Sequence, residues 1–272
     1  MTYRELCRRL SACGVDCAEN EAALLFERFL GVSRATLVAD PTREMQSEAL
    51  SAAVDRRCTH EPLAYILGEW AFFDETYTVS PACLIPRPET ELLVEHAIRR
   101  LPRNGRFADL CTGSGCVAIS TLCHRPDCRA VALDLYAETA ALAEQNARRN
   151  GVSDRLSVRV ADVLDPACLA DEAPFDAILS NPPYIRTDVI ETLEPELFRE
   201  PHAALDGGRD GLIFYRSIVN NLASRLTPNG FMLFEIGYDQ EEDIKIIAAS
   251  CGFHCTVERD LAGNPRVAIL DQ

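Results

Sequence analysis

From about residue 88 to its end, the chain alternates short apolar runs with amphipathic stretches. That alternation limits the folds open to it. The runs are Arg106–Cys111, Ala130–Leu135, Leu156–Val160, Phe175–Ser180, Gly230–Ile236, Cys255–Arg259 and Arg266–Leu270. Apolar residues at helical spacing precede them at Glu89–Arg100 and fall between them at Ala137–Arg149, Gly211–Leu226 and Gln240–Ala249. Such alternation builds a mostly parallel sheet covered by helices on both faces. The last two runs are separated only by Asp260–Pro265. A parallel crossover needs roughly a dozen residues or more, so the final strand is expected to run antiparallel.

The first 64 residues carry no strand alternation and read as helices. Tyr3–Ala12 sets Leu6 and Leu10 on one face. Glu21–Leu30 carries Leu24, Leu25, Phe26, Phe29 and Leu30 before a stop at Gly31, and Met45–Cys58 carries Leu50 and Val54. This is helical patterning with a glycine stop. Between residues 65 and 85, Trp70, Phe72, Phe73, Tyr77 and Val79 flank Asp74-Glu75, which predicts a hairpin. The expected division is a helical partner-binding domain over 1–75, a hairpin and linker over 76–87, and an α/β domain over 88–272.

Composition narrows the function classes. Of 272 residues, 47% are apolar, so a disordered tail protein is excluded. The 42 acidic residues outnumber 27 basic ones and leave a formal charge of −15, spread through both parts of the chain. That disfavours a direct nucleic-acid binder. The start, Met1 to Arg9, mixes charge signs without an apolar stretch, so no signal peptide is expected. The longest uncharged run, Leu110–His124, is too short for a membrane span. The twelve cysteines include no C-x-x-C; Cys13/Cys17 and Cys251/Cys255 are four apart. Zinc sites favour tighter pairs, so reduced thiols, no metal and a cytoplasmic location are expected.

Chemistry concentrates at the strand ends. The first run leads into Cys111-Thr112-Gly113-Ser114-Gly115-Cys116, a Gly-x-Gly turn ahead of a helix. Glycine there lets a ligand lie against bare backbone. The ligand could be a dinucleotide or another adenosine cofactor. Asp134 ends the second run, 19 residues past Gly115, where a carboxylate accepts from ribose hydroxyls; it could equally cap the helix near Ala137. Asp162 and Val163 end the third run, placed for an adenine amino group and ring, although Asp162 also suits a solvated loop.

After the fourth run comes Asn181-Pro182-Pro183-Tyr184. Two prolines remove two donors and fix two φ angles. The Asn181 side-chain carbonyl and the Pro182 carbonyl could then accept both hydrogens of a planar –NH2 group, with Tyr184 stacked on it. A plain turn would also tolerate this sequence.

These four residues resemble the Asn/Asp-Pro-Pro-Tyr motif of S-adenosylmethionine-dependent amino-methyltransferases. Three further stretches narrow the resemblance: Leu84-Ile85-Pro86-Arg87-Pro88-Glu89-Thr90-Glu91, Glu200-Pro201 through Ala204-Leu205-Asp206-Gly207-Gly208 to Asp210-Gly211-Leu212, and Glu235-Ile236-Gly237 with Gln240. Over about 60–272 the chain is similar to the HemK/PrmC family of protein-(glutamine-N5) methyltransferases acting on peptide-chain release factors. The resemblance implies a class I S-adenosylmethionine-dependent methyltransferase fold, Rossmann-like with a seven-stranded mixed sheet whose last strand is antiparallel, behind a small N-terminal helical bundle.

It also implies S-adenosyl-L-methionine at Cys111, Thr112, Gly113, Ser114, Gly115, Asp134, Asp162, Val163 and Asn181. Asn181, Pro182, Pro183 and Tyr184 would bind the substrate amide, with Asn181, Pro182 and Tyr184 catalytic. Release factors would be the protein partner of a monomer that touches neither nucleic acid nor membrane. Cys111 stands where the family usually has Gly, so its side chain is expected to point away from the ligand. Two related activities share the tetrad: methylation of a ribosomal-protein glutamine and, against the charge, of a nucleic-acid adenine N6. Arg87, Glu89 and Glu91 could line the mouth of the site or simply start a helix. Glu196, His202 and Asp206-Gly207-Gly208 lie in a long loop of the kind that handles substrates, and Gln240–Ala249 reads as a solvated face.

Overall fold

The computed structural model describes all 272 residues and divides into two compact units. One comprises Met1–Glu69 with Glu194–Arg199, the other Trp70–Leu193 with Glu200–Gln272.

The first unit is helical: α1 (Tyr3–Ala12), α2 (Ala18–Leu30), α3 (Arg34–Ala39), α4 (Glu48–Arg57) and α5 (Leu63–Leu67). Thr2 caps α1 in a capping box with Glu5, each side chain accepting from the other's backbone N–H. Ser33 and Ser47 cap α3 and α4. Leu6, Leu10, Leu25, Phe26, Leu37, Leu50 and Val54 form its core. Leu24 instead faces solvent, on the side of α2 turned away from Leu25 and Phe26. Arg57 is buried among them; its guanidinium donates to Glu21 at 2.5 and 3.0 Å and to Glu196 at 2.6 Å.

The second unit opens with a hairpin, β1 (Glu69–Phe72) and β2 (Glu75–Thr78), turned at Phe73 with φ +56°. These strands lie within the 65–85 stretch and flank the Asp74-Glu75 region where a hairpin was expected. The chain then runs as α6 (Glu91–Arg100), β3 (Arg106–Leu110), α7 (Cys116–His124), β4 (Arg129–Asp134), α8 (Ala137–Arg149), β5 (Leu156–Val160), β6 (Phe175–Ser180), α9 (Thr187–Ile190), α10 (Ile213–Leu222), β7 (Leu226–Glu235), α11 (Glu241–Ser250), β8 (His254–Arg259) and β9 (Pro265–Asp271).

Seven strands form one sheet in the order β5-β4-β3-β6-β7-β9-β8. The first five pair in parallel, and β9 runs antiparallel to both neighbours, as the short link before it requires. Ala108 and Leu110 of β3 join Ile178, Met232 and Phe234 in a core that takes Ile218 and Leu222 from α10 and Ile244 from α11. On the alternate positions of β3 are Phe107 and Asp109, with Asp109 hydrogen-bonded into the start of α7.

This order places the site. From β3 the sheet grows through β4 to β5 on one side and through β6 to β7 on the other. Neighbouring loops after β3 and β6 therefore leave in opposite directions, opening a crevice at the carboxyl ends of these two strands.

Candidate active site

A cavity of about 120 Å³ opens to solvent at this crevice. Cys111, Thr112, Gly113 and Ser114 line it from the β3 loop, Asp134 from β4, Asp162 and Val163 from beyond β5, and Asn181 and Pro183 from beyond β6. Most residues expected to form the site are thus brought together. Gly115, Pro182 and Tyr184 stand behind the wall.

The β3 loop is a tight turn, with Gly115 N–H donating to the Thr112 carbonyl at 2.9 Å. Gly115 has φ +83°, which strains any side chain, and a Cβ there would make Ile119 Cδ1, 2.8 Å away, turn aside and would crowd Ala143 Cβ at 3.3 Å. Cys111 is itself at φ +57°, the left-handed region that disfavours side chains. That explains the glycine usual at this position. The Cys111 side chain packs on the core and its thiol lies by Ser180, although the residue still edges the cavity. Burial pushes its thiol and that of Cys116 far up, and that of Cys83 to about 11. All three are therefore protonated near neutrality and poor nucleophiles.

Asp134 does not cap α8, whose N-cap is Tyr136 with no side-chain cap bond; it ties backbone from two loops together. Its Oδ2 accepts from Gly113 N–H at 2.9 Å, and its Oδ1 from Tyr136 N–H at 3.2 Å, just ahead of α8. Each carboxylate oxygen keeps further lone-pair capacity for a ligand. Burial raises its pKa, opposed by the N–H groups of Gly113, Tyr136 and Leu135. Asp162 turns its own loop by accepting from Leu164 N–H at 2.9 Å. Asp109, 1% exposed, accepts from the Thr112 hydroxyl at 2.6 Å and Ala118 N–H at 3.2 Å, and burial raises its pKa to about 7.

The lining discriminates between cofactors. Asp134 and Asp162 line the cavity, with the buried, partly protonated Asp109 beneath them, and the single cationic side chain there, Arg87, is ion-paired to the buried Glu200. A dinucleotide pyrophosphate would meet carboxylates here, whereas a nucleoside carrying positive charge meets its complement. The buried Ser114 hydroxyl, beside the Cys116 thiol, makes no further hydrogen bond.

Behind β6, Pro182 and Pro183 are buried, and Asn181 is half-buried. Asn181 Nδ2 donates to Thr90 Oγ1 at 3.1 Å, and Thr90 donates to Glu235 Oε2 at 2.5 Å. The Tyr184 hydroxyl donates to Glu235 Oε1 at 3.3 Å. Burial raises the pKa of Glu235, opposed by Thr90, Arg266 and Tyr184. Gln240, read from sequence as the start of a solvated face, is buried. It donates to the carbonyls of Tyr184 at 3.1 Å and Gly211 at 3.2 Å, and accepts from Gly237 N–H at 2.9 Å. These supporting residues sit inside the quoted motifs, but which side chain turns inward has no local sequence signal.

The other candidates separate. Arg87 lines the cavity. Pro88–Thr90 forms a turn of 3₁₀ helix, and Glu91 accepts from Phe73 N–H at 2.9 Å. His202 is exposed, 4.0 Å from Asp206. Glu196 belongs to the helical unit. Asp206 accepts from Thr187 and Gly208, turning the loop that packs on the tetrad.

Residues 2–68 match the PrmC N-terminal domain family, and residues 88–223 the Methyltransferase small domain family. The release factor glutamine methyltransferase of Caulobacter vibrioides is 35% identical over 96% of this chain and 92% of its own length. That of Geobacter sulfurreducens is 38% identical over 95% and 91%. This chain belongs to the release factor glutamine methyltransferase family. The fold agrees: a methyltransferase from Pyrococcus furiosus superposes with a TM-score of 0.55 at 18% identity, over 74% of this chain and 90% of that one. The sheet of this family member is that of class I S-adenosylmethionine-dependent methyltransferases, with its last strand antiparallel.

Proposed function

We propose that the chain transfers a methyl group from S-adenosyl-L-methionine to the side-chain amide nitrogen (N5) of the glutamine in the Gly-Gly-Gln motif of peptide-chain release factors. The observation that carries this reading is Asn181, fixed at the cavity wall with its Nδ2 committed to Thr90. Its carbonyl oxygen is therefore the end left to accept from a substrate –NH2. Full-length likeness to relatives that bear this activity in their names supports the choice of substrate.

S-adenosylmethionine fits the acidic lining. Asp134 would take the ribose hydroxyls, Asp162 and Val163 the adenine, and Cys111 to Gly115 the remainder along exposed backbone. When bound, the cofactor supplies an electrophilic methyl group on a sulfonium. The chain's own task is to prepare the nitrogen. An amide lone pair is delocalised into its carbonyl, so the nitrogen is a weak nucleophile. Asn181 Oδ1 and the Pro182 carbonyl would accept its two hydrogens, orient it and favour the pyramidal geometry that frees the lone pair. Tyr184 stiffens the tetrad from behind. This is catalysis by positioning and fixed dipoles. Residues 1–75 receive the release factor, 76–87 link, and 88–272 carry the chemistry, in a cytoplasmic monomer.

The test is methyl transfer from labelled S-adenosylmethionine to a purified release factor, to its Gln→Ala variant, and to DNA and RNA duplexes. Label should appear on the release factor alone and vanish with its glutamine. Asn181→Ala should lower the rate by at least roughly 100-fold while cofactor affinity stays within a few-fold. Label on nucleic acid alone, or an active Asn181→Ala variant, overturns the reading.

A further inference from the structure

We propose that Thr90 and Glu235 are positioning residues for the transfer, deciding which end of the Asn181 amide faces the substrate. The inference rests on the functional reading above and deepens it. A threonine hydroxyl has one proton to give. Thr90 gives it to Glu235 Oε2 at 2.5 Å, which leaves only its lone pairs for Asn181. The nearer amide atom, at 3.1 Å, must then be the donor Nδ2. The acceptor Oδ1 is turned toward the cavity. Thr90 is 1% and Glu235 2% exposed, so water does not compete for either bond.

The direction of this chain depends on the charge of its last member. An ionised Glu235 can only accept, and every bond runs toward it. A protonated Glu235 could donate to Thr90, and Thr90 could then donate to Asn181. The amide would invert and present its own –NH2 to the –NH2 of glutamine, donor against donor. The groups facing Glu235 come from several elements: Glu89 and Thr90 ahead of α6, the Tyr184 hydroxyl after β6, and Arg266 of β9. Tyr215 of α10 donates to its backbone carbonyl at 2.8 Å. Arg266 and the hydroxyl donors favour the ionised form; burial and Glu89 favour the proton. Transfer should therefore fall on the acid side as Glu235 takes up its proton.

The experiment compares the full chain with Thr90→Val, Thr90→Ser and Glu235→Gln. It reads kcat with release factor, cofactor affinity by calorimetry, and solvent exchange of the Asn181 side-chain –NH2 protons by NMR, assigned by their loss in Asn181→Ala. Thr90→Val, close to isosteric, should lower kcat roughly 30- to 100-fold with cofactor affinity within about twofold. It should speed exchange of the Asn181 protons about tenfold or more by freeing the bonded hydrogen. Thr90→Ser should restore both to within about threefold. Glu235→Gln, able to donate to Thr90, should lose a similar rate and flatten the acid limb of the pH profile. The inference is overturned if Thr90→Val keeps its rate and its protected protons. It is equally overturned if Thr90→Ser loses as much as Thr90→Val, the mark of mere packing, or if Glu235→Gln keeps the wild-type rate and profile. A wild-type chain that leaves release factor unlabelled defeats the functional reading instead, and the exchange comparison then still decides the positioning role.

Discussion

Asp109 shows how a single side chain couples the site to stability. Its carboxyl is buried and titrates at about 7, against an ordinary 3.8. The folded chain thus holds a proton that the unfolded chain releases. Its contribution to stability is full below about 4 and is lost as pH rises through about 7. The stability of the wild type relative to Asp109→Asn should therefore fall across that window, with a slope of up to about 1.4 kcal/mol per pH unit. Denaturant titrations at several pH values measure it, and parallel curves would refute it. Residue types at the strand ends were readable because few suit such turns: a carboxylate that accepts from backbone N–H groups, a glycine at positive φ. The orientation of Asn181 was not readable. It depends on Thr90, 91 residues away, and Glu235, 145 residues from Thr90, and nothing local to the tetrad encodes either.

Elements were legible in proportion to their length and burial. All seven sheet strands lie at the runs read from sequence; the central β3, β4 and β6 are mostly apolar because both faces are covered, whereas the edge strands β5 and β8 are partly exposed. The short helices α3 and α5 had no visible periodicity, since five or six residues barely complete one turn and a half. The apolar stretch ending at Leu226 ran past α10, whose last turn tightens into 3₁₀ geometry before β7 begins. The loop from Ile185 to Leu212 has the least regular structure and the strictest fit. Ile185 pairs with residues 205 and 207 through bonds of 3.0 and 2.8 Å. A Cβ on Gly207 would stand 2.8 Å from the Pro183 carbonyl oxygen and 2.8 Å from Tyr184 Cα. Both are backbone atoms and cannot swing aside. Gly207→Ala should therefore displace the tetrad, costing about 1–3 kcal/mol of stability and most of the transfer rate. Thermal melts and rate assays check it, and an unaltered rate would show the loop yields more easily than its packing implies.

Across the whole molecule, the charge of −15 gave only a bias against polyanions. The fold gives that bias a location, since Asp134 and Asp162 line the cavity and the one arginine there is already paired. The helical unit was legible as helices, but its membership was not. Six residues far along the chain, Glu194–Arg199, belong to it, held where buried Arg57 grips Glu21 and Glu196. Sequence order suggests a cut between helices and sheet, but the chain does not come apart at one point. A catalytic fragment beginning at residue 70 would carry away a stretch whose anchor has been left behind. Glu196 would lose its arginine, and the segment that follows the tetrad would lose a fixed end. Such a fragment should be cleaved by trypsin at Arg199 well before the full chain is, as gel electrophoresis would show, so anyone dividing this protein for study inherits a severed tether along with the catalytic piece.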